Sequence, residues 1–218
     1  MSSFSVHKAA LEGQTGLARS LLNDDPKLIN SKDEDGRTPL HWAASTSNLS
    51  VLQLLLNYHP DLEARDTMGW TALMIASAAG HPEMVKELIG AGAKVDAVNE
   101  KGQTSLHYAA SKGNVSIGRL LINHGADINA KDRASQHPLH RAATTGNNAF
   151  LQLLLNPPEG RPKTRLNTAD RAVLIEAGAD RERSNSEGQV AEEIEGVGGQ
   201  EQKKVREYVA SKVGRRTE

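Results

Sequence analysis

Apolar residues along the chain fall into short helical stripes that recur at a regular interval. Each stripe has its apolar positions grouped at the spacing of one buried helix face. The stripes are Val51-Leu52-Leu54-Leu55-Leu56, Met84-Val85-Leu88-Ile89, Ile117-Leu120-Leu121-Ile122 and Phe150-Leu151-Leu153-Leu154-Leu155. Paired small residues precede three of them, at Ala43-Ala44, Ala109-Ala110 and Ala142-Ala143. The pattern predicts pairs of helices, the first short and small-faced, the second amphipathic.

A four-residue motif marks the start of each first helix. It reads Thr38-Pro-Leu-His41, Thr71-Ala-Leu-Met74, Thr104-Ser-Leu-His107 and His137-Pro-Leu-His140, with a constant offset of 33 residues. A glycine two residues before the threonine, as at Gly36, predicts a tight turn with positive φ. A 33-residue period with T-P-L-H-x-A is the ankyrin signature. We therefore predict an all-α ankyrin-repeat solenoid of helix-turn-helix units with β-hairpin loops and one incomplete C-terminal repeat.

The same period predicts the domain organisation, a single ankyrin-repeat domain over residues 1–218. The segment His7 to Gly13 reproduces the second half of the signature, so residues 1–35 are predicted to be an N-terminal capping repeat. The remaining divisions are regular repeats over 36–155, an insertion and truncated repeat over 156–190, and a C-terminal cap over 191–218. Caps shield the two terminal apolar faces of such a stack from water.

The period breaks between residues 156 and 190. Leu166–Asp170 aligns with Ile128–Asp132 at an offset of 38 residues rather than 33, which implies an inserted loop. From Asp170 to Gly178 is only 8 residues, where the regular repeats have 26, so about 18 residues of a unit are missing. An alternatively spliced, mispredicted or truncated product would explain this, and a genuine irregular repeat is the alternative. We expect this remnant to be the least stable part of the chain.

Charge and composition narrow the classes of function. A formal net charge of −1 offers no global positive field for nucleic acid or an anionic membrane surface. Cysteine is absent, which excludes disulfides and thiolate zinc sites. The longest apolar run, residues 72–79, is far short of the roughly 20 residues of a transmembrane helix, and the N-terminus lacks a signal-peptide design. We expect a cytoplasmic and nuclear protein that binds neither nucleic acid nor membrane.

The side chains without a structural role are predicted to line the concave surface, at the turns and on the outward side of the first helices. Both tryptophans and Tyr108 fall there in a chain with only 3% aromatic residues, and aromatic and arginine side chains dominate binding hot spots. Padding of a neighbouring helix is the alternative for Trp42 and Tyr108. Acidic residues on this surface favour a partner with a basic face. The candidate protein-binding residues are Glu34, Asp35, Arg37, Trp42, Asp66, Met68, Trp70, Tyr108, Lys112, Arg133 and Arg141.

The histidines suggest metal or catalytic chemistry, but their register points to a structural role. His41, His107 and His140 occupy the fourth position of the motif, where we expect them to hydrogen-bond the backbone of adjacent loops. They lie one or two repeats apart, too far to share a metal ion. No carboxylate has a paired base or nucleophile. We therefore predict no metal, no cofactor and no enzymatic activity.

Particular strings go beyond the general ankyrin pattern. They are Arg37-Thr-Pro-Leu-His-Trp-Ala43, Gly69 to Gly80, Ala97 to Lys112, and Ala130-Lys-Asp132 with His140-Arg-Ala-Ala143. Over roughly residues 5 to 155, and again in the tail, the chain resembles the gankyrin family of proteasome assembly chaperones. The resemblance implies that the concave face binds the C-terminal domain of one proteasome base ATPase subunit. Arg37, Trp42, Trp70 and Lys112 are among the implied contacts.

The resemblance also has a limit. Members of the gankyrin family resemble seven-repeat stacks, whereas the sixth repeat here lacks its first half, so contacts made through that repeat are not carried over. The alternative is a generic ankyrin-repeat adaptor in signalling or transcription, which would use the same face for an unrelated protein. In either case we expect a monomer.

Overall fold

The computed structural model describes residues 5–162 and 164, and in that part of the chain every regular element is helical. Ten α-helices form five successive pairs, with one 3-10 helix at Pro26–Asn30 in the first repeat. The first helices are α1 (Val6–Leu11), α3 (Pro39–Ala44), α5 (Ala72–Ala79), α7 (Ser105–Lys112) and α9 (Pro138–Thr144). The second helices are α2 (Thr15–Asp24), α4 (Leu49–Leu56), α6 (Pro82–Gly90), α8 (Val115–Asn123) and α10 (Asn148–Leu155). The all-α ankyrin-repeat solenoid is confirmed.

The four-residue motif begins a helix because its first and last residues bond to each other and so cap the helix N-terminus. Thr38 is the N-cap of α3 and Pro39 its first residue, where a missing N–H costs nothing. The Nδ1 atom of His41 accepts a hydrogen bond from the Thr38 backbone N–H at 3.1 Å. Thr104 and His107 repeat this arrangement in α7 at the same distance. The motif is thus a reciprocal cap in which histidine takes the place of the usual glutamate.

The turns before the first helices are built by an Asp or Asn side chain. The Oδ1 atom of Asp33 accepts from the backbone N–H groups of Asp35 and Arg37 at 3.0 and 2.9 Å. Gly36 follows with φ of 72°, as its position in the sequence predicts. Successive turns are joined by one backbone bond each, for example from Thr67 N–H to the Asp35 carbonyl at 3.0 Å.

The expected β-hairpin loops are not formed as strands. No residue in the described part of the chain is in a β-strand. Two backbone bonds close each turn, as from Asp33 N–H to the Arg37 carbonyl and from Gly36 N–H to the Asp33 carbonyl, both at 3.0 Å, and one joins it to the next turn. A ladder needs alternating pairs of bonds along both chains, so these segments stay tight turns.

Neighbouring repeats bury each other's apolar faces in one continuous core. That core runs from Val6 in α1 to Leu154 in α10. The first helices pack closely on one another through fully buried alanines such as Ala43, Ala109 and Ala142. The second helices carry leucine, isoleucine and valine and make fewer contacts with each other. Closer packing among the first helices curves the stack toward them, so their outward sides and the turns form its concave face.

Two motif histidines also tie the second and the fourth repeat to the repeat that follows. His41 Nε2 lies 3.0 Å from the carbonyl oxygen of Trp70, and His107 Nε2 lies 3.0 Å from that of Gln136. A carbonyl only accepts, so Nε2 carries the proton and Nδ1 is the acceptor in the cap. Burial lowers the pKa of His41 and His107 below the ordinary 6.5, although the carbonyl contact acts in the opposite direction. Both rings are therefore neutral at neutral pH, which leaves Nδ1 free to accept in the cap.

The third repeat lacks this tie because methionine stands in the histidine position. Met74 is fully buried, and the buried Thr71 hydroxyl, whose counterparts contact the histidine, has no hydrogen-bond partner among the described residues. The predicted truncated repeat and C-terminal cap, residues 156–190 and 191–218, lie outside the described residues except for 156–162 and 164.

Gly118 of α8 tests how closely the second helices pack. A Cβ built on it would lie 2.5 Å from the ring of Phe150, which is fully buried. We expect Gly118→Ala to destabilise the protein by roughly 1–3 kcal/mol, because overpacking outweighs the gain in helix propensity. The matched control is Gly90→Ala in α6, where nothing lies within 4 Å, and which should stabilise by roughly 0.5–1 kcal/mol. Urea unfolding measures both, and stabilisation by Gly118→Ala would contradict this packing.

The buried histidines predict a pH dependence of stability. Because the folded-state pKa of His41 and His107 is lowered, the unfolded chain binds more protons below pH 6.5. The free energy of unfolding should therefore fall as the pH drops from 6.5 toward the folded-state pKa, by at most about 1.4 kcal/mol per pH unit for each histidine. Urea unfolding between pH 7.5 and 5.5 measures the slope. A His107→Asn variant should show a shallower slope, and an unchanged slope would refute the assignment.

Candidate protein-binding face

The residues predicted for binding lie on the turns and first helices that form the concave face, but they differ in exposure. Glu34, Asp35, Met68, Lys112 and Arg133 are exposed, with Met68 at 52% the most exposed large apolar side chain of the described residues. The half-buried members are Arg37, Trp42, Trp70, Tyr108 and Arg141. Asp66 is buried. Most half-buried members make specific side-chain contacts, and these form three groups.

The first group is built around Trp42 of α3. Its indole Nε1–H donates to Oδ2 of Asp33 at 2.7 Å, and the Arg37 guanidinium lies over the ring, 4.9 Å from its centroid. Burial alone would raise the pKa of the Asp33 carboxyl, but the bonds from Trp42 and from the backbone of Arg37 and Asp35 bring it below 3.8. The carboxylate is ionised at neutral pH, so the indole is held by a charge-assisted bond.

Asp66 does not provide the open acidic contact that the sequence suggested. Its side chain is only 4% exposed, and Oδ1 accepts from the backbone N–H groups of Met68 and Trp70 at 2.9 Å each. Oδ2 faces Nε of Arg37 at 3.5 Å. This carboxylate is thus buried and already bonded within the chain. The exposed acidic residues of the predicted set are Glu34 and Asp35.

The second group is an aromatic pair across two repeats. The rings of Trp70 and Tyr108 are 4.2 Å apart between centroids and tilted by 38°. The Tyr108 hydroxyl accepts from Asn99 Nδ2 and donates to Gln103 Oε1, both at 2.7 Å. Burial raises the pKa of Tyr108, so the phenol stays protonated. Both rings remain partly accessible, and the exposed Met68 stands two residues before Trp70.

The third group is centred on Asp132, whose side chain is 2% exposed. Its Oδ2 accepts from Arg141 Nη2 at 2.7 Å and from Gln103 Nε2 at 3.4 Å. Burial would raise the pKa of this carboxyl, but the bonds from the Gln136 backbone, Arg141 and Gln103 lower it. The Arg141 guanidinium is therefore fixed while about a third of its side chain stays exposed.

The face also carries exposed charges that a partner protein could contact. Arg133 and Glu100 lie 3.8 Å apart, but both side chains are more than 60% exposed, so the pair contributes little to stability and both charges can meet a partner.

Among the described residues no three His, Asp or Glu side chains stand close enough together to hold a metal ion. In the same part of the chain no helix has the length and apolarity to cross a membrane.

Sequence reasoning missed the residues that hold the face together, Asp33, Asn99 and Asp132. A signal for them was present, because an Asp or Asn recurs every 33 residues, at Asp33, Asp66, Asn99 and Asp132. They stand five residues before the Thr or His of each motif. The partners nine residues later vary in type, so no repeating pair was visible.

The comparisons with known proteins agree with this architecture. The family model for ankyrin repeats, three copies, matches residues 6–99 and 76–167, which together make up more than half of the chain. The chain belongs to the ankyrin-repeat proteins. Repeats of this family are protein-interaction modules, and the concave face is the surface on which this chain carries its fixed aromatic and arginine side chains.

Individual relatives match over short stretches. A Saccharomyces cerevisiae protein described as a probable 26S proteasome regulatory subunit p28 is 37% identical over 57 residues, 26% of this chain and 25% of the relative. Ankyrin repeat domain-containing protein 49 of Drosophila melanogaster is 41% identical over 51 residues, 23% of this chain and 24% of the relative. A Caenorhabditis elegans homologue of a transient receptor potential channel is 40% identical over 62 residues, 28% of this chain and 5% of the relative. The chain thus spans a quarter or less of each.

The aromatic pair makes a prediction that needs no partner. In a Trp42→Phe background Trp70 is the only tryptophan, so its fluorescence reports on this group alone. We expect Tyr108→Ala to increase quenching by acrylamide, because the ring 4.2 Å away is removed. Tyr108→Phe should leave quenching unchanged and cost about 1 kcal/mol of stability through the lost hydrogen bonds. Equal quenching in the parent and Tyr108→Ala would contradict the stacked arrangement.

Proposed function

We propose that this chain is a binding protein that holds one partner protein on its concave face and that it performs no catalysis. The observation that carries the proposal is the arrangement of Trp42, Trp70, Tyr108, Arg37 and Arg141 on one face, half-exposed. Aromatic and arginine side chains that are already fixed lose little conformational entropy on binding, which is typical of hot spots.

The partner we propose is a proteasome base ATPase subunit, held through its C-terminal domain during assembly of the regulatory particle. Two observations support it: the strings that resemble the gankyrin family, and the 37% identity to a protein described as a proteasome regulatory subunit. In this role the protein acts sterically, as a monomer in the cytoplasm and nucleus. It would delay docking of the subunit until assembly is complete.

The charge of the face is compatible with such a partner. Glu34 and Asp35 are exposed at the first described turn of the face, whereas Arg37 and Arg141 lie deeper and are held by buried carboxylates. A partner with a basic patch opposite the turn would associate faster at low salt. The second candidate, a generic adaptor in signalling or transcription, is supported by the ankyrin-repeat relatives with other descriptions.

The test is co-purification of the tagged protein from a lysate competent for proteasome assembly, at moderate salt. The parent should recover a base ATPase subunit, and a Trp70→Ala plus Asp35→Lys variant should lose it, because a hot-spot aromatic and the tip charge are removed together. We expect at least a tenfold loss of affinity for the purified C-terminal domain.

Lys86→Glu is the matched control, since Lys86 is exposed on the second helix α6, away from the concave face. This variant should bind as the parent does. Recovery of no ATPase subunit by the parent would refute this partner and favour the adaptor. Equal loss in Lys86→Glu would show that the loss of binding is not specific to the concave face.

A further inference from the structure

The Asp or Asn at the start of each turn has a side chain with two polar atoms, and only one of them bonds within the turn. In the turns of the second, fourth and fifth repeats, Oδ1 of Asp33, Asn99 and Asp132 accepts from the backbone N–H groups two and four residues later, at 2.9–3.0 Å. The geometry is the same whether the residue is Asp or Asn. Of the two polar atoms of this side chain, only the first oxygen takes part in the turn.

The second atom reaches the side chain nine residues later, on the outward side of the following first helix. Asp33 Oδ2 accepts from Trp42 at 2.7 Å, and Asp132 Oδ2 accepts from Arg141 at 2.7 Å. At Asn99 the amide nitrogen is the second atom, and it donates to the Tyr108 hydroxyl at 2.7 Å. The type of the second atom thus matches its partner: an acceptor for indole and guanidinium, a donor for the phenol oxygen.

The third repeat shows what happens when no polar partner stands at that position. The residue nine after Asp66 is Ile75, which cannot hydrogen-bond. Oδ2 of Asp66 instead meets Arg37 from the preceding turn, at 3.5 Å. The second oxygen is used here too, again for a side chain of the binding face.

We propose that Asp33, Asn99 and Asp132 are positioning residues of the binding face, which fix Trp42, Tyr108 and Arg141 in the orientation that a partner protein meets. This inference rests on the proposed function and adds to it the residues that prepare the surface. A side chain already held in one rotamer gives up less entropy on binding, so each bond is expected to raise affinity roughly three- to tenfold.

Asp33→Asn separates the two roles. The amide oxygen still closes the turn, as Asn99 shows for the fourth repeat, but the amide nitrogen cannot accept from the indole of Trp42. The thermal midpoint should fall by a few degrees only, because one bond to a half-buried indole is lost while the turn stays closed. The probe is the purified C-terminal domain of a proteasome base ATPase subunit. The affinity of the variant for it should be roughly three- to tenfold lower than that of the parent.

A mutant cycle tells positioning through Trp42 from any other effect of the substitution. In a Trp42→Phe background, where no indole N–H exists, Asp33→Asn should change affinity no further. An equal loss in both backgrounds would overturn the proposal, because the carboxylate would then act independently of Trp42.

A partner-independent readout decides the positioning even if the ATPase domain does not bind. The two tryptophans give two indole N–H signals in a ¹⁵N-labelled sample. Asp33→Asn should shift the Trp42 signal and speed its hydrogen exchange, and leave that of Trp70 in place. Asp35→Asn makes the same charge change at an exposed position and should leave both indole N–H signals unchanged. An unchanged Trp42 signal in Asp33→Asn would overturn the proposal, whereas failure of the parent to bind would refute the proposed partner alone.

Discussion

The structure depends on one constraint: a single pair of short helices cannot bury its own apolar face. Each repeat therefore uses its neighbour as the other half of its core, and stability becomes a sum of nearest-neighbour contacts. The fit at these junctions is close, as the space that Gly118 leaves for Phe150 demonstrates. Fully buried alanines let the first helices approach, and the bulkier second helices stay further apart. Curvature follows from this difference in side-chain size.

The same constraint frees a surface for function. Core positions take the inward sides of both helices, so most side chains on the turns and on the outward sides of the first helices lie outside the apolar core, although Trp42 and Trp70 still pack against its edge. Polar side chains there nevertheless form specific ion pairs: the buried carboxylates of Asp66 and Asp132 contact Arg37 and Arg141, respectively. Because these hydrogen bonds already fix the side chains of the face, the face loses less conformational entropy when it binds a partner.

Much of the fold could be predicted from the sequence, because the helix caps and apolar stripes are local and recur every 33 residues. The contacts of the candidate site were less accessible. In the sequence Asp66 resembles an exposed acidic contact, yet its side chain is buried and faces Arg37 of the preceding turn, 29 residues away. The stacking of Trp70 on Tyr108 joins two repeats through positions that differ in each unit. Periodicity reveals what all repeats share, and these contacts are what individual repeats do not share.

The third repeat connects these two levels. Met74 stands where His41 and His107 each cap a helix and hold the next turn, so the junction with the fourth repeat lacks one hydrogen bond worth about 1 kcal/mol. The stack of Trp70 on Tyr108 crosses this same junction, and an aromatic pair contributes about 0.5–1.5 kcal/mol beyond its buried area. The two contributions are of similar size, so the stack can offset part of the missing polar tie. A partner that covers these rings would therefore also reinforce the junction between the third and fourth repeats, which couples occupation of the face to the stability of the stack.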